Sequence, residues 1–373
     1  MPLRIVWNPS VVPLCILLAS HPRARRAYYT PLPIDRAVKA TFDGSAVRMG
    51  KDGRSLYEQS GYGRPEKEGI RLAPQEALYL LHRGKIEIPA YRFDTLLAEF
   101  ANQHNFLRSF LVYRDLRERG YVVQTGPHDF RVFRRGEKPG TGESIYLVRV
   151  LSERDPVRFT TLIEEVVASR NMRKQYILAV VDDEDELTYY EIKLQKLVRS
   201  RAPEAGLVNR EAELVGKSGM VTVPPDSDLE MAGFGQRFDD QRLVLSPVEL
   251  HYLMEANVVM LKRNGIPVGL TEYLESAKNA DSELGGKINV YEELREAGFT
   301  PRTGYKFGHH FRVYCGKNTH SDMLVHAIGK ETVMPMSVIS RSVRMAHSVK
   351  KKMLFGCVHT TGIQFVEFAR IKL

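Results

Sequence analysis

Three cysteines in 373 residues, Cys15, Cys315 and Cys357, are too few for a disulfide framework and have no metal-binding spacing. That usage fits a reducing compartment, so the expected location is cytoplasmic. A long hydrophobic run is also missing. The apolar stretch from Val11 to Ala19 is too short to span a bilayer, and no membrane association is expected. With Arg4 as a thin basic region it superficially resembles a signal peptide. Residues 1–37 are instead expected to be a poorly ordered extension, or translation from an upstream start, because patterned sequence begins near Val38. Low-complexity segments are absent as well, which leaves an ordinary globular chain.

What is present is charge, core and repetition. Lys and Arg number 54 against 45 Asp and Glu, a net charge of +9. This favours an anionic partner without identifying one. A hydrophobic fraction of 43% is ample for buried cores, and the length suggests two to four domains.

The chain repeats itself at about half its patterned length. Leu72 to Leu81, with Ala73-Pro74, matches Leu245 to Met254, with Ser246-Pro247, at offset 173 (247 − 74). Val112-Tyr113 to Gly120-Tyr121 matches Val290-Tyr291 to Gly298-Phe299 at offset 178 (290 − 112). Phe130 matches Phe311 at 181 (311 − 130), and Lys174 matches Lys351 at 177 (351 − 174). The drift in offset marks short loop insertions.

Each copy reads as weak strands, a helix opened by proline, and a second helical stretch near Phe93 to Phe100 or Leu270 to Lys278. A helix through Tyr113 or Tyr291 follows, stopped by Gly120 or Gly298. Alternating sequence then predicts strands at 130–133, 145–150, 311–315 and 323–328. Helices over about 158–173 and 336–350 come next, then strand pairs at 176–181 with 188–194 and 353–359 with 363–368. The fold class expected is α+β, a tandem repeat of two units. The expected boundaries are 1–37, the extension; 38–108, a small αβ subdomain; 109–195, a mixed-sheet subdomain; 196–235, the linker and start of the second repeat; 236–286, its small subdomain; and 287–373, its mixed-sheet subdomain.

The copies differ where chemistry would sit. The second has Tyr314 at a strand end, His320 after the next loop and Lys351 beyond a helix. From His320 to Lys351 is 31 residues (351 − 320), and from Glu143 to Lys174 is also 31 (174 − 143). The first copy has Phe133 and Glu143 in place of the tyrosine and histidine. A Tyr/His/Lys set suits metal-free RNA cleavage. The 2′-hydroxyl must lose a proton, the 5′-oxygen must gain one, and the phosphorane needs positive charge. Histidine suits general acid work near neutral pH, and lysine gives phosphate a compact charge. A free tyrosine titrates near ~10, so a neighbouring lysine cluster would be needed to favour its phenolate. Singly, such residues are more often packing or solvated surface; their recurrence in a duplicated frame favours function. Because Lys174 survives in the copy without Tyr and His, lysine there could also serve folding or phosphate binding.

The run Val290-Tyr291 through Tyr305-Lys306-Phe307-Gly308-His309-His310-Phe311-Arg312-Val313-Tyr314, with His320-Ser321 and Arg344 to Lys351, closely resembles archaeal tRNA-splicing endonucleases. The likeness extends over nearly everything from residue 38, in the homodimeric class with an inactive repeat before a live one. It implies restriction-endonuclease-like mixed-sheet subdomains and cleavage of precursor tRNA at a bulge–helix–bulge. The expected ends are 2′,3′-cyclic phosphate and 5′-hydroxyl, with no cofactor and no metal. By motif position, Tyr314 is implied as general base, His320 as general acid and Lys351 as the charge on the transition state. Arg344 and Arg370 are implied to grip a bulge base. The acidic loop Asp182-Asp183-Glu184-Asp185-Glu186 is implied to dock on a partner subunit's C-terminal repeat. Strands near Leu194 and Phe368 are expected to supply apolar and edge-pairing contacts for that assembly.

Two other readings compete. One is a non-catalytic RNA-binding or assembly subunit with a nuclease-like fold, which the complete Tyr/His/Lys set opposes. The other is a metal-dependent DNA nuclease, which would need clustered carboxylates around Asp322 and Glu331, and no persuasive set is seen there.

Overall fold

A buried glutamate in the first turn of a proline-led helix organises the opening part of each copy. In helix Pro74–His82, Glu76 accepts hydrogen bonds from the N–H groups of Gly63 at 3.0 Å and Ala73 at 2.8 Å. In helix Pro247–Glu255, Glu249 accepts from Gly235 at 2.9 Å and Ser246 at 2.8 Å. A carboxylate here satisfies a helix-start donor and complements the helix dipole. Both glycines have left-handed φ, +75° and +69°, which a side chain would resist.

This frame comes from a computed structural model that describes residues 37–197, 206–316, 320–359 and 362–373. Apart from Ala37, the expected N-terminal extension lies outside the described residues. One compact unit holds 37–57 and 63–100; the other holds 58–62 and the described residues from 101 onward. The first carries a five-stranded sheet running from Val38–Phe42 to Ile86–Glu87. The second carries a six-stranded counterpart from Arg210–Val215 to Ile266–Pro267. Strands Arg210–Val215 and Ser218–Thr222 lie within 196–235, the stretch expected to hold the linker and the start of the second repeat.

A second device is also duplicated. Arg117 donates to the Ser60 carbonyl at 3.0 Å with its guanidinium 3.6 Å from the Tyr62 ring centroid. Arg295 donates to the Ala232 carbonyl at 2.9 Å, 3.8 Å from the Phe234 centroid. Each arginine exchanges water for a carbonyl and an aromatic face.

The mixed-sheet subdomains merge. Strands Val122–Thr125, Phe130–Phe133, Ser144–Ser152, Gln175–Val181 and Leu187–Gln195 form one half of a ten-stranded sheet. Strands Phe299–Thr303, Phe311–Cys315, Met323–Ile328, Lys352–His359 and Gly362–Ile371 form the other. Within each half, the third and fourth strands are parallel, bridged by helix Phe159–Asn171 or Met336–Ser348. The halves join where Leu187–Gln195 pairs antiparallel with Gly362–Ile371.

The register exposes a pseudo-two-fold. Tyr176 pairs with Ile192 and its counterpart Met353 pairs with Phe368, so Ile192 and Phe368 are equivalent at offset 176 (368 − 192). They are also each other's partners. The same holds for Val157 and Met334, paired across the copies at offset 177 (334 − 157). Under this junction lies one shared core. Phe159 of the first copy meets Phe355 and Phe368 of the second at 5.1 and 6.1 Å between centroids. Carbonyls of Asp155 and Glu153 accept from Met336 and Ser337, first-turn N–H groups that have no acceptor within the second copy's helix.

One expectation is corrected by this pairing. The strands near Leu194 and Phe368 spend their edges on each other within the chain, so they are not free to pair with another subunit. No helix among the described residues is long and apolar enough to cross a membrane.

Candidate active site

The position of Lys351 is set by how its helix stops. Lys350 takes the left-handed conformation at φ 55°, and the N–H of Lys351 turns back to the Ala346 carbonyl at 2.8 Å. This is the six-to-one bond that closes many helices. The first copy does the same with Arg173 at φ 56° and Lys174 bonded to Ser169 at 3.0 Å. Each lysine then reaches the loop opposite. The Lys174 ammonium donates to the Ser144 carbonyl at 2.8 Å, and the Lys351 ammonium donates to the Ser321 carbonyl. Lysine is thus a structural clamp in both copies. In the second it ends beside the residue that follows His320.

Asp322 closes the same loop. Its N–H donates to the Val313 carbonyl at 2.8 Å, and its carboxylate accepts from the Cys315 N–H at 2.9 Å. Its carbonyl accepts from Lys352 N–H at 3.1 Å. Glu331 faces Arg158 instead, at 3.7 Å. The two carboxylates considered for metal chemistry therefore have separate structural partners.

Sheet register aligns the rest. Val313 pairs with Met323, Met323 with Lys352, and Met353 with Phe368. Carried to the strand ends, these rows put Tyr314, Asp322, Lys351 and Arg370 on one transverse line. Adjacent strands are spaced by about 4.8 Å, so the Tyr314 and Lys351 backbones stand about 10 Å apart. Alternation puts Tyr314 and Arg370 on the face shared by Leu324, Met353 and Phe368, while Lys351, just before its strand, borders a cavity lined by Cys315, Met323 and Leu354 of the other face. Helix Met336–Ser348 covers that face and carries Arg344, which is exposed. Arg370 is exposed and pairs with Tyr190 of the first copy.

The side chains open into two cavities. Tyr314 is half-buried and lines one of about 350 Å³ with Arg302, Arg312 and Met231. Lys351 lines another of about 1140 Å³ with His347, Lys350, Lys352 and Glu367. His320 is exposed beside the loop. In the first copy, Phe133, Glu143 and Lys174 share a single cavity of about 640 Å³ with Arg131. Arg312 and Arg302 were not singled out in the sequence. Arg312 was legible as the residue two before Tyr314 on the same strand face, and its guanidinium lies 5.7 Å from the Tyr314 ring centroid.

The acidic loop turns between Gln175–Val181 and Leu187–Gln195. The Asp182 carboxylate folds inward, accepting from Glu184 and Glu186 N–H at 3.0 and 2.9 Å. Asp183 pairs with Arg154. Burial pushes the Asp185 carboxyl up from its ordinary range, with Asp182 adding to the shift. Glu184 and Glu186 are exposed.

Other motif histidines are structural. His310 Nδ1 accepts from Ala327 N–H at 3.0 Å, as the first copy's Asp129 accepts from Val150 N–H at 2.7 Å. His310 stacks on His326 at 4.0 Å, and His309 meets His326 at 5.7 Å. Glu283 and Lys287, the latter paired with Asp281, face the cluster. Burial pushes His309 and His310 down to about 4, helped by His326.

Models of known families match the chain twice each. The tRNA intron endonuclease N-terminal domain matches residues 38–97 and 210–274, and the catalytic C-terminal domain matches 106–189 and 285–365. The tRNA-splicing endonuclease of Methanococcoides burtonii is 36% identical over 332 residues, 85% of this chain and 95% of the relative. That of Methanosarcina acetivorans is 36% identical over 350 residues, 90% and 100% of the two chains. That of Natronomonas pharaonis is 34% identical over 342 residues, 87% and 97%.

The histidine cluster predicts an acid limb in stability. Unfolded imidazoles take their proton near ~6.5, whereas folded His309 and His310 do so only near 4. The unfolded state binds more protons between these values, so stability is complete above about pH 6.5 and declines toward pH 4. The melting temperature should fall over that range, and His309→Gln should flatten the slope by roughly one proton. An unchanged slope in the variant would contradict this.

Proposed function

The chain belongs to the tRNA intron endonuclease family, and we propose that its C-terminal repeat cuts precursor tRNA at the intron boundaries of a bulge–helix–bulge. The observation that carries this reading is the transverse row. Extended past the paired residues, it brings the Tyr314 and Lys351 backbones to one sheet end, with His320 on the loop that Lys351 clamps, which supports a shared site. The first copy keeps the clamp but has Phe133 and Glu143 in the other two places.

In the proposed reaction, Tyr314, directly or through water, takes the proton from the 2′-hydroxyl next to the scissile phosphate. The 2′-oxygen attacks phosphorus, and Lys351 with Arg312 offsets charge on the phosphorane. The bond to the 5′-oxygen breaks, and His320 gives that oxygen its proton. One fragment ends in a 2′,3′-cyclic phosphate and the other in a 5′-hydroxyl. Arg344 and Arg370 grip an unstacked bulge base between guanidinium planes. We read each five-stranded half-sheet as a restriction-endonuclease-like unit, with subdomains at 38–108, 109–195, 236–286 and 287–373.

Assembly follows from the acidic loop. Two copies of the chain bring two live repeats to two splice sites, and symmetry makes the contacts equivalent. Glu184 and Glu186 are exposed for the partner's basic C-terminal repeat, while Asp182 and Asp183 shape the loop from within.

His320→Ala should lower single-turnover cleavage by ~10²–10⁴-fold while leaving RNA affinity near that of the wild type. Lys174→Ala should leave cleavage nearly intact but lower unfolding free energy by about 1–3 kcal/mol, because it removes a half-buried charged hydrogen bond. Normal cleavage by His320→Ala would sink the mechanism. Glu184→Lys combined with Glu186→Lys should shift the chain from dimer to monomer in sedimentation. A dimer of unchanged affinity would remove the loop from the interface.

A further inference from the structure

His251 lies outside the proposed cutting site and has no role in it. It sits on helix Pro247–Glu255, 7% exposed, with Nδ1 buried and without a hydrogen bond. Glu292 Oε1 of helix Leu284–Glu296 lies 3.4 Å from Nδ1. Glu255, one helical turn after His251, brings a third donor, and the three ligand atoms lie within 4.8 Å of one another.

The first copy makes this trio conspicuous. By the repeat offsets, His251 corresponds to Leu78 at 173 (251 − 78) and Glu292 to Arg114 at 178 (292 − 114). Glu255 corresponds to His82 at 173 (255 − 82). Leu78 is fully buried, so the shared frame accepts an ordinary apolar residue where the second copy has an imidazole. Burying an imidazole nitrogen without a hydrogen bond is unfavourable unless something binds it.

We infer that His251, Glu255 and Glu292 form a site for a first-row divalent cation of the zinc class. Two donors on one tetrahedral zinc stand about 3.3 Å apart, given bonds of about 2.0–2.2 Å. The separation of Nδ1 from Oε1 is close to that value. An imidazole with carboxylates suits zinc, cobalt or manganese better than magnesium or calcium, which favour all-oxygen shells. Glu255 is exposed, so water can complete the shell from the solvent side. The ion would tie the two helices together and would take no part in cutting RNA.

The test uses the full-length chain, stripped with chelator and titrated with Co²⁺ as a coloured stand-in for Zn²⁺. One equivalent should bind with visible d–d absorption, yield to Zn²⁺ and raise the melting temperature. Glu255→Gln, a surface change, and Glu292→Gln should each weaken Co²⁺ binding at least about tenfold. His251→Leu, which installs the first copy's residue, should fold, lose the ion, and cleave precursor tRNA at the wild-type rate at room temperature. Failure to bind Co²⁺ in saturable fashion would overturn the inference. So would an affinity and spectrum unchanged in Glu255→Gln and Glu292→Gln, which would place the ion elsewhere.

Discussion

The pairing of Leu187–Gln195 with Gly362–Ile371 is the interaction on which this structure depends. It places equivalent residues opposite each other and makes two small sheets one. It also creates the interior in which Phe159, Phe355 and Phe368 pack. Neither half could bury that aromatic surface alone. Long-range strand pairing carries a large loop-closure cost, and the shared apolar core offsets it. The antiparallel junction also hides two edges that would otherwise invite association.

That constraint explains why a copy without the tyrosine and histidine persists. Its sheet completes the second copy's sheet, and its backbone carbonyls receive the N–H groups that open the helix before Lys351. The lysine clamp survives in both copies because it closes a loop, whatever chemistry is present. Tyrosine and histidine have no such duty and can be exchanged for phenylalanine and glutamate without loss of the frame. In the proposed division of labour, one copy is thereby tied to architecture and the other is left to cut.

Much of this was legible in the sequence because local periodicity carries it. Strand Phe311–Cys315 opens with apolar–polar alternation, Met323–Ile328 is a short apolar run broken only by His326, and helix Met336–Ser348 shows its apolar stripe at Ile339, Val343 and Ala346. What alternation cannot show is which strand meets which. Leu187–Gln195 and Gly362–Ile371 look like any edge strands, and only their register reveals an internal partnership. Strands Arg210–Val215 and Ser218–Thr222 fall within 196–235, where sequence places a linker and the start of the second repeat but not the boundary between them. Tyr314 and Lys351 were visible as motif residues, but their common row with Arg370 is a property of the sheet. The His251 trio left no trace, since its members come from two helices whose packing no spacing rule encodes.

The proposed reaction uses side chains alone, at the sheet end that holds Tyr314, His320 and Lys351. The direct measurement incubates the purified chain with an intron-containing precursor tRNA in chelator, below the melting temperature of the metal-stripped protein, and analyses the product ends. Excised intron with 2′,3′-cyclic phosphate and 5′-hydroxyl termini is the expected product. Loss of cleavage in chelator from a chain that stays folded, or 3′-hydroxyl and 5′-phosphate ends, would contradict it.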